Sequence, residues 1–175
     1  MAHEKQHNFC LIVRRKFPEY FKGEVTVLDV GSLDINGNNR YLFDADCRYI
    51  GLDIIPGKNV DVVCPVHLFW PLERFDVVIC TEMLEHDQYQ NQSLTAMYKL
   101  LKPGGLLLIT AAAPGRRPHG ITGMSPGASP ATNNFYKAPT YKKLKSVLKF
   151  KHNFSSSFCQ VTKNGKDIYF WGIKI

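Results

Sequence analysis

Long apolar runs are missing from this sequence. No stretch approaches the roughly 18 residues a membrane helix needs, and the first ten residues, MAHEKQHNFC, lack the basic-then-apolar order of a secretory signal. Cysteine is sparse and unpatterned: Cys10, Cys47, Cys64, Cys80 and Cys159 are odd in number and form no C-x-x-C pair, which argues against a disulfide framework or a zinc knuckle. Together these absences predict a soluble, cytoplasmic protein with reduced core cysteines and no membrane span. Internal repeats and low-complexity tracts are absent too, so neither a solenoid nor a disordered linker is expected. His3, Glu4 and His7 do spell H-E-x-x-H. That motif lies at the terminus, ahead of any apolar packing stripe and with no third ligand, so no metal site is expected.

A further absence is chemical. Gly31 is followed by Ser32 and Leu33, and the next glycine is Gly37. The G-x-G-x-x-G cradle that presses backbone against a pyrophosphate is therefore not present. This weakens a nicotinamide-dependent oxidoreductase reading and leaves room for a nucleoside that carries a cationic amino-acid tail in place of phosphates.

What is present suits one globular domain over residues 1–175, with 45% hydrophobic and 21% charged residues. The formal charge is +7. The excess gathers at Arg14, Arg15 and Lys16, at Arg116 and Arg117, and at Lys142, Lys143, Lys145, Lys149 and Lys151, a balance that serves either contact with anions or solubility alone.

The stretch VTVLDVGSLDING (residues 25–37) organises the rest. An apolar, β-branched run stops at Gly31 and gives way to a polar loop, as a buried strand does when it reaches the ligand-binding edge of an α/β sheet. Asp29 inside that run costs free energy unless paired, and near the strand end it can meet a cationic ligand or backbone donors. Some twenty residues on, YIGLDI (49–54) reads as a second strand whose Asp53 stands where nucleotide-binding α/β units place the acceptor for ribose hydroxyls. Further strands are expected at 60–63, 75–80 and 106–112. Helices are expected at 9–17, 91–101 and 138–150, with Thr140 as the N-cap of the last. Asn164-Gly165 between two alternating segments predicts a closing hairpin.

VLDVGSLDING, YIGLDI, FDVVICTEMLEH (75–86) and LLKPGGLLLIT (100–110) follow one another in this order. The set resembles the successive motifs of class I S-adenosylmethionine-dependent methyltransferases, particularly the small type-11-like branch. The resemblance implies an α/β, Rossmann-like fold: a mostly parallel seven-stranded sheet of order 3-2-1-4-5-7-6, a C-terminal antiparallel hairpin, and helices on both faces. It implies S-adenosyl-L-methionine as cofactor, held by Asp29, Gly31, Ser32, Asn36, Asp53, Ile54, Val66, His67, Thr81 and Glu82. The family often places an aspartate after the third strand to accept the adenine amino group, and Pro65 stands there instead.

Methyl transfer from a sulfonium needs mainly alignment and exclusion of water, with a base when the acceptor carries a proton. Glu82, His86 and His119 are the candidate catalytic groups. Residues 113–139, rich in glycine and proline, are too long for a passive connector and read as a lid over the substrate. Thr81-Glu82-Met83-Leu84 replaces the Asn/Asp-Pro-Pro-Tyr/Phe run of the enzymes that modify exocyclic base nitrogens, and Cys80 lacks the Pro-Cys setting of the cytosine C5 enzymes. The expected acceptor is an O, N or carboxyl group of a small molecule, sugar or lipid precursor. An RNA acceptor is the alternative, because Phe135, Tyr136, Lys137 and Tyr141 could stack on and neutralise nucleotides. A cofactor-binding partner subunit without catalysis is a third reading.

Overall fold

In the computed structural model, which describes residues 4–175, one seven-stranded sheet carries the chain. Its strands are β1 (Thr26–Val30), β2 (Arg48–Asp53), β3 (Val62–Val63), β4 (Phe75–Thr81), β5 (Leu101–Ala112), β6 (Phe154–Val161) and β7 (Asp167–Lys174), in the order β3-β2-β1-β4-β5-β7-β6. The first five are mutually parallel, and β7 runs antiparallel to both β5 and β6. The expected order and closing hairpin are both realised. His3 of the H-E-x-x-H stretch lies outside the described residues.

Alternation along the central strands divides the core between two faces, since successive side chains point to opposite sides. Leu28, Val30, Val78, Cys80, Leu107 and Ile109 pack against α2 (Gln90–Leu100) and α3 (Tyr141–Leu148), which contribute Leu94, Met97, Leu144 and Leu148. Val27, Val77, Ile79, Leu106 and Leu108 face the other way, onto Cys10 and Val13 of α1 (Glu4–Lys16), with Phe21 and Leu42 from short 3₁₀ turns. Helices thus cover both faces. Coverage on both sides is why these strands read as continuous apolar runs.

Three local departures from the sequence expectation have physical causes. The third strand shrinks to Val62–Val63, because Asp61 turns to accept a hydrogen bond from the Gly51 amide at 2.7 Å and an ion pair from Arg40. The fifth strand begins at Leu101, directly after α2: Phe75 pairs with Leu101 and Val77 with Leu106, so Lys102–Gly105 bulges out of the ladder. After α3, Lys149 adopts a left-handed conformation (φ 48°) and the chain makes one more helical turn, α4 (Phe150–Asn153), at the start of residues 151–162, which by their alternation read as extended.

Thr140 caps α3 as its position suggests, its hydroxyl accepting from the Lys143 amide at 3.1 Å. Thr140→Ala should cost about 1 kcal/mol, the usual loss on deleting such a cap. Urea unfolding would show it as a lower midpoint with an unchanged slope.

Candidate functional site

The carboxyl ends of β1, β2 and β4 open into one cavity of about 510 Å³. β1 stops because Gly31 turns through φ 79°, a conformation that favours glycine, and a Cβ there would lie 2.6 Å from Cβ and Cγ of Met83. The loop is then pulled toward β2, with the amides of Gly31 and Ser32 both donating to the Leu52 carbonyl. Asp29, Gly31, Ser32 and Asn36 line the β1 side of the cavity, Asp53 and Ile54 the β2 side, Val66 and His67 the far wall, and Thr81 and Glu82 the end of β4. Every cofactor residue named from the sequence therefore borders the same space. Residues 128–132 of the irregular segment after β5 also border it.

Asp29 is buried, and its carboxylate accepts from Asn39 Nδ2 at 3.0 Å and from the Tyr49 hydroxyl. Burial pushes its acid up to about 6, against those two hydrogen bonds, which favour the charged form. Asn39 also donates to Thr81 Oγ1 at 3.0 Å, tying the loop after β1 to the end of β4 at the cavity wall. Asp53 receives the amides of Leu33 (3.1 Å), Ile54 (2.7 Å) and Ile55 (3.3 Å). A carboxylate offers about four lone-pair sites, so acceptor capacity remains for a ligand hydroxyl.

On the wall formed by Cys64, Pro65, Val66 and His67, no side chain supplies the missing acid, and Asp61 is engaged with Gly51 and Arg40. Tyr89 reaches this wall from the opposite side, its ring 4.6 Å from that of His67. Asp87 also lines the cavity, with one oxygen accepting from the Tyr89 amide and Oδ2 buried without a partner. It follows His86 directly, and only its burial beside the cavity distinguishes it from an ordinary turn aspartate.

Glu82 follows β4 in a left-handed conformation (φ 55°), its amide held by the Thr110 carbonyl. Its carboxylate pairs with Arg116, and the same guanidinium pairs with Asp167 at the start of β7. Both carboxylates are almost wholly buried; against the desolvation of Arg116 itself, the Glu82 charge and the hydrogen bonds to Asp167 and Glu82 hold the guanidinium even more firmly protonated than usual.

A second polar group lies beside this triad. Glu85 and His86 share a 3₁₀ turn (Leu84–His86), and the chain after β5 returns His119 and Tyr136 against them. The ring centres stand 5.2 Å apart for His86 and His119, 5.4 Å for His86 and Tyr136, and 5.1 Å for His119 and Tyr136. Gly120, at φ 67°, lets the segment pack closely, since a Cβ there would lie 2.6 Å from Cε1 of His86. Glu85 is fully buried, and burial together with the neighbouring Glu82 charge pushes its acid up to about 7. Burial and His119 lower His86 to about 4, and burial lowers His119 as well. His86 borders the cavity; His119 stands behind it. Glu85 and Asn39 escaped the sequence reading, and Tyr136, read there as a residue that could stack on a nucleotide, packs instead against the two histidines.

Residues 1–144 match the family model described as a methyltransferase domain. No curated protein sequence matches the chain. Among solved structures, the chain is similar to the 1,6-didemethyltoxoflavin-N1-methyltransferase of Burkholderia thailandensis, crystallised with 1,6-didemethyltoxoflavin and S-adenosylhomocysteine (17% identity, TM-score 0.63, covering 95% of this chain and 76% of that one). It is similar also to the N-methyltransferase NodS of Bradyrhizobium japonicum WM9 in complex with S-adenosylhomocysteine (15%, 0.60, 97% and 86%). A third is the magnesium protoporphyrin IX methyltransferase of Synechocystis PCC 6803 with bound S-adenosylmethionine (12%, 0.62, 98% and 80%).

Proposed function

Because this chain belongs to the class I S-adenosylmethionine-dependent methyltransferases, we propose that its cavity holds that cofactor and passes the methyl group to a small-molecule acceptor. The observation that carries the reading is convergence: Asp29, Asp53 and Glu82, from the ends of three different strands, border one space. In the proposal Asp53 accepts from the ribose hydroxyls, and Asp29 and the Gly31–Ser32 turn meet the cationic methionine end. Ile54, Val66 and His67 sandwich the adenine by shape, Asn36 closes the loop side, and Thr81 borders the reacting centre.

The acceptor enters from the side of Glu82, His86 and His119, beneath residues 113–139 acting as a lid of a single domain spanning 1–175. A small acceptor is favoured over RNA by where the aromatic residues go. Tyr136 is occupied inside the histidine cluster, Tyr141 packs edge-on against Phe150, and Lys143 is bonded to Gln90. Tyr136, one of the residues that could stack on a base, is thereby taken up by its contacts with His86 and His119. No helix among the described residues is long and apolar enough to cross a membrane, and five free cysteines accord with a reducing, cytoplasmic setting.

Calorimetric titration with S-adenosylhomocysteine tests the cofactor site. Asp53→Ala should bind about 10–100-fold more weakly, the equivalent of one or two hydrogen bonds to a charged acceptor. Equal affinity in both proteins would count against the ribose contact. For the acceptor, label transferred from methyl-labelled cofactor in cell extract should appear in ribonuclease-resistant small molecules; label confined to RNA would reverse the assignment.

A further inference from the structure

We propose that Glu85, His86 and His119 form a binding site for one divalent transition-metal cation beside the cofactor cavity. One ligand atom from each of the three lies within 4.8 Å of the others. Neither carboxylate oxygen of the fully buried Glu85 makes a well-formed hydrogen bond, the Glu85 and Ala112 amides lying only close enough to favour its charged form, and His86 Nδ1 and His119 Nε2 are buried without a partner as well. Buried polar atoms are normally satisfied, and several unsatisfied ones facing a common point need a shared partner. A single cation meets that need for all of them.

The tautomer of His119 is already set for this. Its Nδ1 lies 3.3 Å from the Arg117 carbonyl, and as donor to that oxygen it leaves the lone pair on Nε2, the unpartnered atom. Metal-bound histidines characteristically donate their second ring N–H in this way. The backbone is equally fixed: the His86 amide donates to the Met83 carbonyl at 2.9 Å, and the Lys137 amide donates to the Glu85 carbonyl at 2.7 Å. Two imidazoles and one carboxylate suit zinc, manganese, iron or cobalt better than magnesium or calcium, which prefer oxygen throughout. Three protein ligands also leave coordination positions open, and His86 belongs to both the cluster and the cavity wall. A cation here would have positions left for oxygen atoms of a bound acceptor.

The residues differ from the H-E-x-x-H stretch set aside above, and the test separates the two. The protein over residues 1–175, stripped with a chelator, should bind one Zn²⁺ per chain by calorimetry, and Co²⁺ should give visible d–d absorption on binding. His119→Ala and Glu85→Gln, neither of which borders the cavity, should each weaken Zn²⁺ by at least about 100-fold, beyond the loss seen when only an outer partner of a ligand is removed. Both should keep wild-type affinity for S-adenosylhomocysteine, which certifies their fold and keeps this result separate from the cofactor assignment. His7→Ala should leave Zn²⁺ affinity unchanged. Absence of stoichiometric binding by the wild-type protein would overturn the proposal whether or not the variants fold. Binding that survives both substitutions, or that His7→Ala abolishes, would overturn it as well.

Discussion

Replacing Arg116 by methionine should lower the unfolding free energy by about 3–5 kcal/mol, the usual cost of removing one member of a buried ion pair. The side chains of Glu82 and Asp167 are 4% and 5% exposed, and that of Arg116 between them 14%. Methionine fills most of the same volume with an unbranched chain, so packing is largely kept and the loss comes from two buried carboxylates that no longer share a cation. Glu82 is the more vulnerable, because its Oε1 is already buried without a partner. A surface pair provides the control. Arg48 and Glu73 are 2.8 Å apart but 61% and 65% exposed, so Arg48→Met should cost no more than about 1 kcal/mol. Urea midpoints at neutral pH measure both. A loss below about 1 kcal/mol for Arg116→Met would mean that the triad contributes nothing beyond a surface pair. The triad joins the turn after β4 to the segment after β5 and to β7, so the cavity wall at Glu82 should loosen in the same variant.

Arg116 also illustrates what the sequence could and could not convey. As one of two adjacent arginines it reads as surface charge, and its value lies in two carboxylates from distant strands. The acids at strand ends are a different matter. Asp29 and Asp53 interrupt or terminate apolar runs, and a charge in such a place needs a reason that the sequence itself displays. The closing hairpin is equally local: Asn164-Gly165 specifies its own turn, and β6 and β7 pair on either side of it. Wherever a feature depends on one segment, the sequence carries it. The bulge at Lys102–Gly105 and the extra turn of α4 depend instead on how the next element must be delivered to the sheet. Glu85 sits in full view within TEMLEHD, yet its complete burial, beside a His86 that the returning His119 and Tyr136 pack against, belongs to the fold and not to the local sequence.

The same logic makes Asp29 a residue that the fold tolerates at a cost. Its acid lies at about 6 in the folded protein against an ordinary 3.8, so between those values the native state holds more protons than the unfolded chain. Whatever stability the neutral carboxyl provides is fully present below about pH 4 and is lost as pH rises through 6. A shift of about two units corresponds to about 3 kcal/mol. Asp29→Asn keeps the shape and an acceptor for Asn39 Nδ2, and offers Tyr49 an amide, without burying a charge. The variant should therefore be more stable than the wild type by up to about 3 kcal/mol at pH 7 to 8, with the advantage shrinking to near zero at pH 4. Urea unfolding at successive pH values tests this: a difference between the two proteins that does not change with pH would show that Asp29 is not the titrating group. The gain should be matched by weaker binding of S-adenosylhomocysteine, since the buried charge that costs the fold stability is the one proposed to meet the cationic methionine end. A variant that is both more stable at neutral pH and unimpaired in binding would remove Asp29 from the cofactor site and leave its burial without a functional reason.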